Sequence, residues 1–209
     1  MELRESNYEI TKHRVQAEFA SYDMDAICRE WNLEQVGGRM LLTILGRRYL
    51  VDRESGAVLW DSDGSLQEAD FNVSMTVYDI LTRPHQTASG EMVSIKSLST
   101  LQSANIPGGS MFDRLAKRFD HRCEHVAAVC ERLGGTPYGR GDVSYLLPAF
   151  RDVNVAVSFW ESDEEFPPKL NFLCDGNILH FMHYETMMYL LCHVAERMEE
   201  EFSVDPAGL

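Results

Sequence analysis

The chain has 209 residues and a net charge of −14, with 33 acidic against 19 basic side chains. That length suffices for one good-sized domain that buries roughly 70% of its unfolded surface, and an apolar content of 44% with 10% aromatics excludes a disordered polypeptide. No apolar run approaches the ~20 residues that cross a bilayer, and no run of Lys and Arg could form the basic patch that a nucleic acid or an anionic membrane requires.

Met1 to Glu5 is charged and lacks a hydrophobic signal core, so a cytoplasmic location is expected. Helical character runs from Tyr8 to Tyr22, and Asp23 to Trp31 predicts a second short helix before Gly37-Gly38. Met40 to Leu45, Tyr49 to Val51 and Val58 to Trp60, with turns at Gly46 and at Ser55-Gly56, predict a small meander. Asp61-Ser62-Asp63-Gly64 is a polar loop without the ligand series or closing Glu of a calcium loop.

Phe71 to Leu81 reads as a helix ending before Pro84, and Met92 to Ile95 as a short strand. The longest helix is expected over Met111 to Leu133. There Phe112, Leu115, Phe119, Cys123, Val126, Cys130 and Leu133 recur at steps of three and four, and Gly134-Gly135 ends the stripe. Ser110 and Asp113 match a capping box at its start. Strands follow at Val143 to Leu147, Val153 to Trp160 and Leu170 to Cys174, then a helix over Tyr184 to Glu200 and a loose tail from Ser203. These elements predict a single α+β domain over 1–209, with a helical part at 1–38, a core at 39–202 and a tail at 203–209. Its sheet is mostly antiparallel, with helices packed on it.

The stretch from Trp160 to Pro168 is the most distinctive of the chain. It sets Glu161, Asp163, Glu164 and Glu165 between Trp160 and Phe166, and closes on Pro167-Pro168. Two carboxylates ~6 Å apart in water repel by under ~1 kcal/mol, so such a tip needs no bound cation. A solvated turn that discourages edge pairing is one reading of it, and a loop that contacts a ligand or partner is the other.

Other constellations are less complete. Gly108-Gly109-Ser110 before a helix, and Arg140 in Gly139-Arg140-Gly141-Asp142, could cradle an anion, but the spacing of a nucleotide loop is missing. His121 and His125 stand four apart, outside the apolar stripe, with no third ligand type completing a zinc motif. His180, His183 and Glu185 gather before the last helix and are the other candidates for a metal, although an extended segment would send the two histidines to opposite faces. The five cysteines, Cys28, Cys123, Cys130, Cys174 and Cys192, are odd in number and lack CxxC spacing, which favours reduced, buried thiols over a disulfide framework.

Gly46-Arg47-Arg48-Tyr49-Leu50-Val51-Asp52, the Pro107-Gly108-Gly109 turn, Gly141-Asp142, Leu147-Pro148, and above all Trp160-Glu161-Ser162-Asp163-Glu164-Glu165-Phe166-Pro167 with Asp175 downstream resemble the bacterial family catalogued as domain of unknown function 3786. The resemblance covers about 39–198. It implies a setting in anaerobic bacteria and archaea, and a link to one-carbon or corrinoid metabolism through members fused to an iron–sulfur domain. This chain lacks the cysteine cluster of such fusions. The family brings no established catalytic residue, and the residues leave any cofactor unknown.

The function expected on these grounds is a binding or accessory module rather than an enzyme. Trp160, Asp163, Glu164, Glu165 and Phe166, with Gly108, Gly109 and Arg140, would hold a small molecule or a protein partner. The alternatives are a metal-assisted hydrolase, using carboxylates of the 160–167 loop with His180 or His183, and a structural docking subunit.

Overall fold

Side-chain oxygens open the first two helices. Ser6 accepts from the amide of Glu9 at the start of α1 (Asn7–Phe19), and Asp23 accepts from Ala26 at the start of α2 (Met24–Glu30). A computed structural model of the chain describes residues 6–98 and 108–204, with side chains omitted at 108–111. The chain divides into two compact units, one formed by Met1–Thr87 with Leu179–Leu190 and the other by Ala88–Ile178 with Leu191–Leu209.

In the first unit a five-stranded meander follows the two helices: β1 (Glu34–Val36), β2 (Arg39–Ile44), β3 (Arg47–Asp52), β4 (Val58–Ser62) and β5 (Ser65–Glu68), side by side in chain order. Three of its hairpins turn on two residues of positive φ: Gly37-Gly38, Leu45-Gly46 and Asp63-Gly64. Such pairs give the turn whose twist matches that of the strands. Asp63-Gly64 explains the polar loop seen in the sequence, since Asp61 Oδ1 accepts from the Gly64 amide at 2.7 Å and serves the turn. Strands β1 and β5 escape sequence reading because every one of their residues is exposed, which leaves no alternation to detect. α3 (Phe71–Leu81), capped by Asp70, buries Val73, Val77, Ile80 and Leu81. Gly56 (φ +72) brings the β3–β4 turn against α1, where a Cβ would lie 2.7 Å from the Gln16 carbonyl.

The second unit carries β6 (Met92–Ser94), α4 (Ile95–Leu98), α5 (Gly108–Phe119), α6 (Cys123–Arg132), β7 (Thr136–Pro137), β8 (Val143–Phe150), β9 (Val153–Trp160) and β10 (Lys169–Asp175). Its sheet has the order β6-β10-β9-β8-β7. α7 (Tyr184–Ser203) closes the described chain. All strand pairs among the described residues are antiparallel, and the fold is α+β. On β9, Val155, Val157 and Phe159 face the core, and Ala156 and Ser158 are buried on the other face, so the strand is covered on both sides.

The single long helix expected over 111–133 is two helices. Asp120, His121 and Arg122 interrupt it, with His121 at φ +58, and the Asp120 carboxylate turns away to Ser162. The apolar stripe survives the break: Leu115, Phe119, Val126, Cys130 and Leu133 are all buried. A periodicity of three and four is thus kept across a kink, which is why the pattern did not reveal it. The first of the two helices already runs at Gly108, so Ser110 lies inside it rather than at its cap, and its side chain is outside the described residues. Residues 99–107, with Pro107 of the expected Pro107-Gly108-Gly109 turn, and 205–209 are likewise outside the described residues. Among the described residues, no helix is long and apolar enough to cross a membrane.

Candidate functional site

Trp160 is the last residue of β9 and Lys169 the first of β10, and the two are cross-strand partners. The Lys169 ammonium lies 5.9 Å from the indole centroid, within cation–π range. The acidic loop therefore springs from an aromatic–cation pair at the loop end of a hairpin.

Two carboxylates of that loop have separate tasks in its fold. Asp163 Oδ1 accepts from the amides of Glu165 at 2.8 Å and Phe166 at 2.7 Å, while the Asp163 amide donates to the Phe166 carbonyl at 3.0 Å. Asp163 is thus the side chain that folds the tip. Glu161 Oε1 accepts from the Cys123 amide at 3.3 Å, placing negative charge at the positive end of α6. Glu164 and Glu165 are exposed, and Phe166 is 64% exposed.

Two further carboxylates pin the loop from outside. The Ser162 amide and hydroxyl donate to Asp120 at 2.9 and 2.7 Å, and the Glu161 amide donates to Asp142 Oδ2 at 2.8 Å. The Asp142 amide in turn donates to the Phe159 carbonyl at 2.9 Å. The Ser162 amide holds the Asp120 carboxyl below its ordinary value; burial opposes this, and the Ser162 hydroxyl and His121 add to it. His121 Nε2 stands 3.3 Å from Ser162 Oγ.

The result is a cleft of about 870 Å³. Asp113 of α5, Asp142, Glu161 and Asp163 line it as anions, with Lys169 as the cation among the described lining residues. Trp160, Phe166, Pro167 and Pro168 give it an apolar side. The structure thereby brings together the acidic loop, the loop that carries Arg140 and the helix begun by Gly108-Gly109. Trp160, Asp163 and Phe166 line the cleft; Glu164 and Glu165 form the exposed tip beside it, and Arg140 is exposed two residues before Asp142.

Asp120 and Lys169 were not singled out in the sequence, and Asp113 was read only as part of a capping box. Lys169 could have been found by pairing the two predicted strands from their shared loop, since that register sets it opposite Trp160. Asp113 on α5 and Asp120 just after it lie far away in sequence, and no local pattern marks either as part of a site.

Gly141 (φ +146) is required beside the cleft, because a Cβ there would lie 2.9 Å from the Phe159 carbonyl and 3.1 Å from that of Val143. Gly141→Ala is expected to cost about 1–3 kcal/mol and to free the Asp142–Glu161 contact. A lowered melting temperature, with loss of amide protection at Glu161 by hydrogen exchange, would report it.

Cys123 proves to be the first residue of α6 rather than a mid-stripe residue, a position that by itself would favour a thiolate. Burial, reinforced by Glu161, Asp142 and Asp120, instead pushes its thiol up to about 12. Burial and these acidic neighbours thus oppose the thiolate that the helix start would favour. The kink also takes the His121 and His125 pair off one continuous helix, and the His125 ring stacks on Phe202 at 4.2 Å.

His180, His183 and Glu185 lie in the other unit. A short 3-10 turn, Ile178–His180, replaces the extended segment on which the two histidines would alternate, and His180 is exposed. His183 stands beside Asp79 of α3, with Nδ1 2.8 Å from Asp79 Oδ1, and Glu185 is exposed at the start of α7.

Comparison with the curated proteins and with the solved structures finds no match. The family model described as Domain of unknown function (DUF3786) matches residues 23–197, from α2 through both sheets into α7, and the chain belongs to that family.

Proposed function

We propose that the chain is a binding module whose cleft receives a cationic partner segment bearing apolar groups, such as a stretch of protein rich in lysine or arginine. The observation that carries this reading is the lining itself, with four carboxylates against one ammonium beside an indole, an exposed phenyl ring and two prolines. An indole face next to carboxylates suits an alkylammonium or guanidinium group, and loops held on a rigid sheet suit a contact surface. Lys169 over Trp160 occupies in the unbound chain the kind of position that a partner's cation would take.

Asp163 serves the fold of the loop, and Glu164 and Glu165 at the tip serve attraction and orientation. The setting in one-carbon or corrinoid metabolism rests on the family resemblance and belongs to the same proposal. A hydrolase built on these carboxylates with His180 or His183 has less support, because the imidazole bonded to this loop is that of His121.

Titration with a library of lysine- and arginine-containing peptides, followed by tryptophan fluorescence, tests the proposal. Micromolar binding that weakens with added salt is expected, and Trp160→Ala or Phe166→Ala should weaken it by at least about tenfold. Glu164→Gln with Glu165→Gln should slow association while leaving the melting temperature in place. Peptides that bind Trp160→Ala as tightly as the parent chain would sink the reading.

A further inference from the structure

The first unit holds a separate pocket of about 450 Å³. Its polar end is Asp79 and His183, whose side chains are 12% and 73% exposed. Asp79 Oδ2 accepts from the His183 amide at 2.7 Å, and Asp79 Oδ1 accepts from Arg83 Nε at 3.0 Å. Burial pushes the Asp79 carboxyl up, but the His183 amide, the Thr186 hydroxyl and Arg83 outweigh it, and the group is held below the usual carboxylate range.

His183 Nδ1 is contacted twice, by Asp79 Oδ1 at 2.8 Å and by Arg83 Nη2 at 2.7 Å. A ring nitrogen has one in-plane bonding position, which holds either a proton or a lone pair. A proton there serves Asp79 and makes Nε2 an acceptor; a lone pair there serves Arg83 and makes Nε2 a donor. Each neutral tautomer has its own partner in place. Nε2 can therefore be either donor or acceptor without a change of charge.

Aromatic rings form much of the rest of the pocket. Phe71 meets Tyr189 edge-on at 5.1 Å and Tyr22 is 45% exposed, while Phe19 and Tyr78, 4.9 Å apart, are nearly fully buried. At the rim Arg14 and Glu18 lie one turn apart on α1, and Glu185 adds a second carboxylate, so the opening does not favour an anion.

We propose that this pocket is a second ligand site, independent of the cleft, for a neutral heteroaromatic ring with an amide-type edge of the kind a nucleobase carries. The aromatic walls take the ring, and His183 Nε2 reads its N–H or its C=O. Asp79 is a positioning residue that holds the imidazole. A purely structural tie from α3 to the start of α7 would need only the His183 amide and Asp79; it would not need an imidazole that also lines a pocket.

The test uses the full chain, with guanosine as probe, benzoate as the anionic control and long-range proton–nitrogen NMR of the imidazoles. Loss of one signal set in His183→Gln assigns the ring. Guanosine is expected to shift both His183 ring nitrogens saturably, with a Kd below about 1 mM and at least about tenfold tighter than benzoate. In Asp79→Asn the His183 tautomer ratio should change and guanosine should bind more weakly, an effect that a structural role alone would not produce. The proposal is overturned if the ring nitrogens stay unmoved at about 5 mM guanosine, or if benzoate binds as well. Unchanged guanosine affinity in His183→Gln would overturn it as well. Should that variant fail to fold, the titration of the parent chain decides alone, with the ring assigned through the Asp79→Asn spectrum.

Discussion

Asp175→Ala is expected to lower stability by about 3 kcal/mol, because a buried carboxylate that accepts several hydrogen bonds is lost at once. Asp175 ends β10 and is 3% exposed. It accepts from the Ser89 amide at 2.9 Å, the Ser89 hydroxyl at 2.7 Å, the Gly90 amide at 2.7 Å and the Asn177 amide at 3.1 Å. Those bonds hold the entry to β6 against the end of β10, where the Gly176 amide also reaches the Glu91 carbonyl at 2.8 Å. Chemical denaturation of the parent and the variant would measure the loss; a difference under about 1 kcal/mol would mean that water replaces these bonds at little cost.

The same residue carries a pH dependence. Burial pushes the Asp175 carboxyl up, but Ser89, Asn177 and Gly90 outweigh it, and its folded value lies below the usual 3.8. A depressed folded value contributes stability that is present above the unfolded value, near about pH 4, and is lost as pH falls through the folded one. Asp79 is shifted in the same direction. Melting temperatures taken from neutral pH down to about pH 3 should fall more steeply for the parent than for Asp175→Asn, which carries no titrating carboxyl there. Parallel curves would contradict the assignment.

Phe119→Ala should cost about 3–5 kcal/mol, the usual loss for a large ring removed from a packed interior. Phe119 is fully buried at the end of α5, immediately before the kink. Its ring lies 4.7 Å from that of Phe202 on α7 and 6.0 Å, edge-on, from that of Phe159 on β9. Phe159 directly precedes Trp160, and Asp120 directly follows Phe119, so this one contact fixes two sides of the acidic loop. The variant should therefore lose peptide binding together with stability, and Phe119→Leu, which fills most of the space, should recover most of both. Denaturation curves paired with the peptide titration would show whether the two losses travel together.

Much of this architecture was legible in the sequence where the pattern is local. Phe71 to Leu81 and Val153 to Trp160 have the bounds that periodicity predicts, because each has a clear stop: the approach to Pro84 in one case and the acidic loop in the other. β1 and β5 were not legible, since fully exposed strands carry no buried alternation. The break at His121 was not legible either. At the break Asp120 accepts from Ser162, 42 positions along the chain, and no helix-breaking residue marks it.

The candidate cleft divides in the same way. Its composition, an acidic turn between Trp160 and Phe166 ending on Pro167-Pro168, stands in the sequence, as do the α+β class and the family that the chain belongs to. Which carboxylates are spent on folding and which face the cleft was decided by tertiary structure. Asp163 closes its own turn, Glu161 caps α6, and Asp113 and Asp142 arrive from other elements. The pairing of Asp79 with His183, 104 positions apart, belongs there too. The physical reason is range. Periodicity, turns and caps act within a few residues of one another and are written in order along the chain, whereas a carboxylate's partners are chosen by whichever donors the packed core brings within about 3 Å.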